Sequence, residues 1–246
     1  MEGSIIEGSV HLWIADLRKW RSHAQHLEPL LSDDEVRRLD RLKIANKKED
    51  FLCSRGLLRL ILSKYLVKEP EGLQFMYTPA GKPFLQDTDV QFNISHSKDF
   101  FICGISISGR IGVDIQDIYS ISSTDWIIDN YFSAEEEVYL RSIQPKDIFQ
   151  KHFFAIWTAK EAYLKAAGLG IRESFNQFSL VPEAEDLQTF KLNLIGSKGK
   201  GMKWTLRTIE VAQGYSSALA HDGPISEMRQ LELLPDDFMI PKTGMA

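Results

Sequence analysis

The sequence predicts a mixed α+β (α/β) fold, and three observations carry that reading. Short segments with apolar residues at every second position alternate with longer ones whose apolar residues recur every three or four, the strand and helix periods. Two Ser-x-x-Glu capping boxes, each marking a helix start, stand 101 residues apart. Of 246 residues, 43% are hydrophobic and 26% charged, which is enough apolar material for a real core.

Val10-His11-Leu12-Trp13-Ile14 alternates as a strand does. Ser32 to Glu35 forms the first capping box, followed by Val36, Leu39 and Leu42 at helical spacing. A second helix is expected from Lys48 to Tyr65, with Phe51, Leu58, Ile61, Leu62 and Tyr65 as its buried stripe. Pro79 to Pro83 reads as a turn. Val90–Ile94 and Phe100–Ser106 read as strands joined by Ser95-His96-Ser97-Lys98-Asp99, and Ile111–Ile115 as a further strand. Ser133 to Glu136 is the second capping box. An apolar helix from His152 to Ala167 follows, stopped by Gly168-Leu169-Gly170. Thr205–Val211 and Ser216–Ala220 complete the strands. The repeated plan suggests a duplication, with units at 1–108 and 109–230 and a poorly ordered tail at 231–246.

Composition removes several functions. With 29 Lys+Arg against 34 Asp+Glu, the net charge of −5 argues against an extended nucleic-acid footprint. Cys53 and Cys103 are too few for a zinc cluster or disulfide framework. No apolar run approaches the ~18 residues of a membrane span, and the first residues lack a leader pattern, so a cytoplasmic location is expected. Neither a P-loop nor a dinucleotide-binding glycine motif is present.

Four places look chemical. The helix 153–167 is apolar nearly all round yet carries Glu161 and Lys165 one turn apart, either an i,i+4 surface pair or charges with a task. On Ile111-Gly112-Val113-Asp114-Ile115-Gln116, the residues Gly112, Asp114 and Gln116 share a face. That carboxylate and amide could share a hard cation such as Mg²⁺, or simply meet solvent. His96 among Ser95 and Ser97 reads as a polar turn or a phosphate cluster. Lys48, Arg55 and Arg59 lie on one helix line bordering the core, which suggests a buried anion or snorkelling side chains, and Lys82 adds a charge in the Gly81-Lys82-Pro83 turn.

In this order, Phe51-x-x-x-Arg55-Gly-x-Leu-Arg59, Gly81-Lys82-Pro83, Phe92-Asn93-Ile94-Ser95-His96-Ser97, Gly112-Val113-Asp114-Ile115 and Trp157-Thr158-x-Lys160-Glu161-Ala162-x-x-Lys165 resemble the 4′-phosphopantetheinyl transferase superfamily. The closest likeness is to its single-chain Sfp-type branch and the broad-specificity cyanobacterial members. The resemblance implies a pseudo-dimer of two similar halves with coenzyme A (CoA) in the cleft between them. The implied reaction moves the phosphopantetheine arm of CoA to a serine of an apo carrier protein and releases 3′,5′-ADP. It also implies Asp114, Gln116 and Glu161 around Mg²⁺, with Mn²⁺ as an alternative ion. Glu161 would be metal ligand and general base, and Lys165 the group balancing charge on the transferring phosphate. The CoA pocket would comprise Arg55, Gly81, Lys82, Pro83, Ser95, His96, Asp114 and Lys165.

The implied partners are acyl carrier protein of fatty-acid synthesis or carrier domains of polyketide and peptide synthetases, met by a monomer through Ile118 to Phe132. Gln116 departs from the family pattern, where many members hold an acidic residue. A non-catalytic CoA- or carrier-binding homologue is therefore the alternative reading, and a CoA-dependent acyltransferase a third. No Ser/Cys–His nucleophile arrangement supports the last.

Overall fold

The computed structural model describes residues 5–119, 124–169, 175–184, 187–194 and 203–239. Strand β1 (Ser9–Asp16) leads through a short helix α1 (Leu17–Arg21) to α2 (Asp33–Arg41) and the long α3 (Ala45–Ser63). A small hairpin, β2 (Phe75–Tyr77) and β3 (Pro83–Leu85), precedes β4 (Gln91–Ser97), β5 (Phe100–Ser106) and β6 (Ile111–Asp117). Helices α4 (Thr124–Tyr131), α5 (Ala134–Arg141) and α6 (Lys146–Ala167) follow. The chain then forms β7 (Phe178–Pro182), β8 (Phe190–Leu194), β9 (Thr205–Thr208), β10 (Tyr215–His221), β11 (Glu227–Glu232) and α7 (Asp236–Met239).

Two sheets form the centre, ordered β11-β1-β5-β4 and β6-β10-β9. Strand alternation sorts their side chains. Val10, Leu12 and Ile102 from the first sheet meet Ile111, Val113, Ile115 and Leu219 from the second. The opposite face of the first sheet, with Trp13, Ala15, Phe101, Cys103 and Ile105, packs on α3. Ala218 and Ala220 of the second pack on α6. The layers thus run α3, sheet, sheet, α6, with β1, β4, β5, β6 and β10 each contributing buried residues.

Both capping boxes form as expected. Each capping glutamate also accepts a buried cation from the long helix that follows. Arg59 donates through Nε to Glu35 at 2.7 Å, and Lys160 donates through Nζ to Glu136 at 2.7 and 2.9 Å. Both cations lie 24 residues beyond their carboxylate and are fully buried. Arg59, expected on an anion-binding line, is therefore spent on the protein's own anion. Burial lowers the Lys160 pKa, and the Glu136 charge opposes it.

The segment expected as a loose tail from 231 is instead built into the fold as far as it is described. Strand β11 pairs parallel to β1, the Leu233 amide donates to the Ile14 carbonyl at 2.9 Å, and the Trp20 indole donates to the Leu233 carbonyl at 3.0 Å. The apolar Leu231 and Leu233 hold it there by packing on the first sheet's core. Residues 240–246 and Gly170 lie outside the described residues. Strand β4 also runs on through Ser95 and His96, so these are strand residues rather than a joint; the turn falls at Lys98, whose φ is +46°. Helix α6 starts at Lys146, one turn and a half before the apolar run betrays it, and β9 stops at Thr208.

Candidate active site

The site lies where β4, the edge of one sheet, runs beside β6, the edge of the other, beneath the last turns of α6. Helix α6 sits unusually close to β6 at Gly112. A Cβ there would stand 2.0 Å from the Ala162 carbonyl and 2.5 Å from the Ala166 amide nitrogen. This close approach brings Asp114, on the same strand face, up to the α6 residues Glu161 and Lys165.

Asp114 and Glu161 are both buried, at 6% and 8% exposure. Lys165 does not pair with Glu161 one turn back. Its ammonium donates to Asp114 Oδ1 at 2.6 Å, to Ser95 Oγ at 3.0 Å and to the Val113 carbonyl at 3.2 Å. Among the described residues Glu161 has no hydrogen-bond partner, and its pKa is pushed up to about 7, by burial first and by the Asp114 charge second, with Lys165 opposing. Gln116 shares the strand face of Asp114 and sits opposite Ser216, which is 3.2 Å from the Thr158 hydroxyl of α6.

The basic residues gather on the α3 side. His96 is exposed on the β4 face toward α3. The surrounding protein lowers its pKa, the Asp50 charge opposes this, and Lys165 and Arg55 lower it further. The Arg55 guanidinium lies over the rings of Phe51 and Tyr77 at 5.7 and 5.8 Å, and its Nη1 is buried with no partner among the described residues. Lys82 donates to the carbonyls of Ile111 (3.1 Å) and Lys165 (2.8 Å), tying the Gly81-Lys82-Pro83 turn to β6 and α6. Burial and the nearby Arg110 lower its pKa to about 8, with Asp222 opposing. Gly81, at φ +82°, makes that turn possible. Lys82, Pro83, Arg110 and Ala166 line a cavity of about 500 Å³. A second cavity, about 740 Å³, lies among Ile118, Lys151, Glu210, Ser216 and Gln230.

The structure thus brings together Ser95, Asp114, Lys165 and Glu161, with His96 and Arg55 next to them and Gln116 further along β6. Sequence reasoning read Ser95, His96 and Ser97 as a polar cluster but not the join along this edge: the Asn93 and Ser97 side chains accept hydrogen bonds from the Val113 and Asp117 amides, and the alternation Asn-x-Ser-x-Ser along β4 was the signal. In the segment 118–132, Ile128 and Phe132 pack into the core, whereas Trp126 is 58% exposed.

No three His, Cys, Asp or Glu side chains cluster as a metal centre among the described residues. Two neighbouring buried carboxylates with unused oxygens remain, and a hard cation shared with phosphate oxygens needs no more from the protein. The residues present fit Mg²⁺.

A buried carboxylate pair and a lysine thus lie beside a group of basic side chains. The 4′-phosphopantetheinyl transferase superfamily matches residues 110–220, and the N-terminal region of 4′-phosphopantetheinyl transferase matches 12–106. The 4′-phosphopantetheinyl transferase HetI of Nostoc sp. is 36% identical over 192 residues, spanning 76% of this chain and 81% of its own. The 4′-phosphopantetheinyl transferase gsp of Aneurinibacillus migulanus is 34% identical over 156 residues, 62% of this chain and 63% of its own. A Bacillus anthracis holo-(acyl-carrier-protein) synthase, solved with CoA (3′,5′-ADP), aligns over 45% of this chain and 92% of its own at 20% identity and TM-score 0.37. The chain belongs to the 4′-phosphopantetheinyl transferase superfamily, in its Sfp-type branch, and is an enzyme of that class. No helix among the described residues is long and apolar enough to cross a membrane.

Proposed function

We propose that this enzyme transfers the 4′-phosphopantetheine of CoA to a serine of an apo acyl carrier protein or carrier domain, releasing 3′,5′-ADP in a Mg²⁺-dependent reaction. The observation that carries the mechanism is the buried pair Asp114 and Glu161, with Lys165 locked to the first and the second left unpaired near neutral pKa. The serine oxygen forms a bond to the phosphorus of the phosphopantetheine arm, and the phosphorus–oxygen bond to 3′,5′-ADP breaks. Glu161, or a water it orients, takes the serine proton. Lys165 offsets charge on the transferring phosphate. Arg55 and His96 face the 3′-phosphate and adenine end, and Gly81, Lys82 and Pro83 form the wall beside it. Mg²⁺, held by Asp114 and Glu161 with Gln116 close by, would supply charge to the CoA diphosphate.

The two halves, joined near residue 108, are read as a pseudo-dimer with CoA between them. The equal offsets of Ser32 and Ser133, Glu35 and Glu136, and Arg59 and Lys160 support this. The exposed Trp126 belongs to the carrier-facing surface. The test is mass spectrometry of an apo carrier protein incubated with enzyme, CoA and Mg²⁺. The expected result is a gain of one phosphopantetheine, slowed about 10²–10⁴-fold by Glu161→Gln. An unchanged carrier mass across a panel of carriers would leave a CoA-binding homologue.

A further inference from the structure

Strands β4 and β6 belong to different sheets, yet their edges are joined. The join is made by side chains. Asn93 Oδ1, Ser95 Oγ and Ser97 Oγ accept from the amides of Val113, Ile115 and Asp117 at 2.9, 3.4 and 3.0 Å. Every second residue of one strand thus serves every second amide of the other, and Asp114 falls inside this ladder.

The middle rung differs from its neighbours. A serine hydroxyl has one proton to give and two lone pairs to receive with. Ser95 gives its proton to Asp114 Oδ1 at 2.8 Å and receives from the Ile115 amide and the Lys165 ammonium. Its capacity is full. A phosphate oxygen could only accept from this hydroxyl, and the one proton is already committed. We infer that Ser95 is a positioning residue for Asp114 rather than a ligand of a CoA phosphate. It fixes Oδ1 together with Lys165 and turns Oδ2, which has no partner among the described residues, toward the place of the cation.

The position one repeat away carries no such hydroxyl among the described residues. Stepping across strands, Ser95–Ile102–Ile14 matches Ile209–Ser217–Ile115, so Ile209, buried among apolar side chains, stands where Ser95 stands. Trp13 and Lys64 lie 101 residues before Asp114 and Lys165, and there the ammonium sits 5.7 Å over the indole. The hydroxyl accompanies the carboxylate and is missing where the carboxylate is missing, which ties it to the site rather than to the fold.

This inference rests on reading Asp114 as a metal carboxylate. The test titrates Mn²⁺ into the full-length protein with equimolar CoA, following free Mn²⁺ by electron paramagnetic resonance, and separately compares binding of CoA and dephospho-CoA. Ser95→Ala should weaken Mn²⁺ binding about 10-fold and leave the CoA to dephospho-CoA affinity ratio at its wild-type value. Ser97→Ala removes an equivalent rung away from Asp114 and should leave Mn²⁺ binding unchanged. The Ser95→Thr and Ser95→Val pair repeats the comparison at constant bulk, with Thr binding Mn²⁺ more tightly. Wild-type Mn²⁺ affinity in Ser95→Ala, or a ratio that falls toward one, overturns the inference while the transfer reading stands. A wild-type protein that neither binds Mn²⁺ nor modifies a carrier overturns both.

Discussion

Gly112→Ala is the most demanding test of how the site is assembled. The added Cβ would meet the Ala162 carbonyl oxygen at 2.0 Å, the Ala166 nitrogen at 2.5 Å and the Ala166 Cβ at 3.0 Å. Ordinary contact lies about 1.3 Å further out. The first two obstacles are helix backbone and cannot rotate away, so α6 itself must retreat by roughly that amount. Overpacking a core costs about 1–3 kcal/mol, and a backbone obstacle belongs at the upper end. At about 2–4 °C per kcal/mol for a chain of this size, the melting midpoint should fall by about 6–12 °C. The same retreat carries Glu161 and Lys165 away from Asp114. A 2.6 Å ammonium–carboxylate contact moved by about 1.3 Å is no longer a hydrogen bond, and misplacement of about 1 Å can cost 10²-fold in rate. Differential scanning fluorimetry gives the midpoint, and carrier modification at a temperature where the variant is folded gives the rate. Gly104→Ala is the control. The atoms nearest its Cβ would be side-chain atoms of Ile111 and Val113, at 2.8 and 2.9 Å, rather than backbone, and it should cost about 1 kcal/mol with little loss of rate. If Gly112→Ala melts within about 2 °C of wild type at full activity, or behaves as Gly104→Ala does, the close-approach argument is wrong.

Two further outcomes are expected. Lys160→Met leaves the Glu136 charge buried and uncompensated, costing about 3–5 kcal/mol. The double variant Glu136→Gln/Lys160→Met removes both charges but keeps an acceptor for only one of the Ser133 and Leu180 amides, which bond to different Glu136 oxygens, so it should recover part of that stability in denaturant titration; no recovery would mean the pair matters through packing instead. For Lys82, the folded pKa of about 8 lies below the ordinary 10.5, so between these values the unfolded chain holds more protons and stability rises with pH. The wild type should therefore gain on Lys82→Met between pH 7.5 and pH 10, and a loss across that interval would contradict the burial of its ammonium.

Capping boxes and strand alternation were legible in the sequence because they are local: a serine three residues from a glutamate declares itself without tertiary context. Asp114 was legible as a polar residue on an otherwise apolar strand, and Glu161 as a charge on an apolar helix. Their partners were not. Lys165 reaches Asp114 across 51 residues of chain, and the helical spacing pointed instead to Glu161. Arg59 looked like an anion ligand because its own anion, Glu35, lies on another helix. Strand β11 was hidden for a different reason. Its Glu-Met-Arg-Gln-Leu-Glu is mostly polar, since only Met228 and Leu231 pack against the neighbouring apolar clusters.

The parallel docking of β11 on β1 bears on how this chain comes off the ribosome. Residues Ser9–Ile14 find their last neighbour in Glu227–Glu232, so this strand keeps an open edge until β11 has emerged. At about 5–20 residues per second that exposure lasts tens of seconds, during which an unpaired edge can recruit the same strand from another nascent chain. Buried Trp20 also waits for the carbonyl of Leu233. A chain cut before Glu227 therefore loses contacts that Ser9–Ile14 and Trp20, some two hundred residues upstream, depend on.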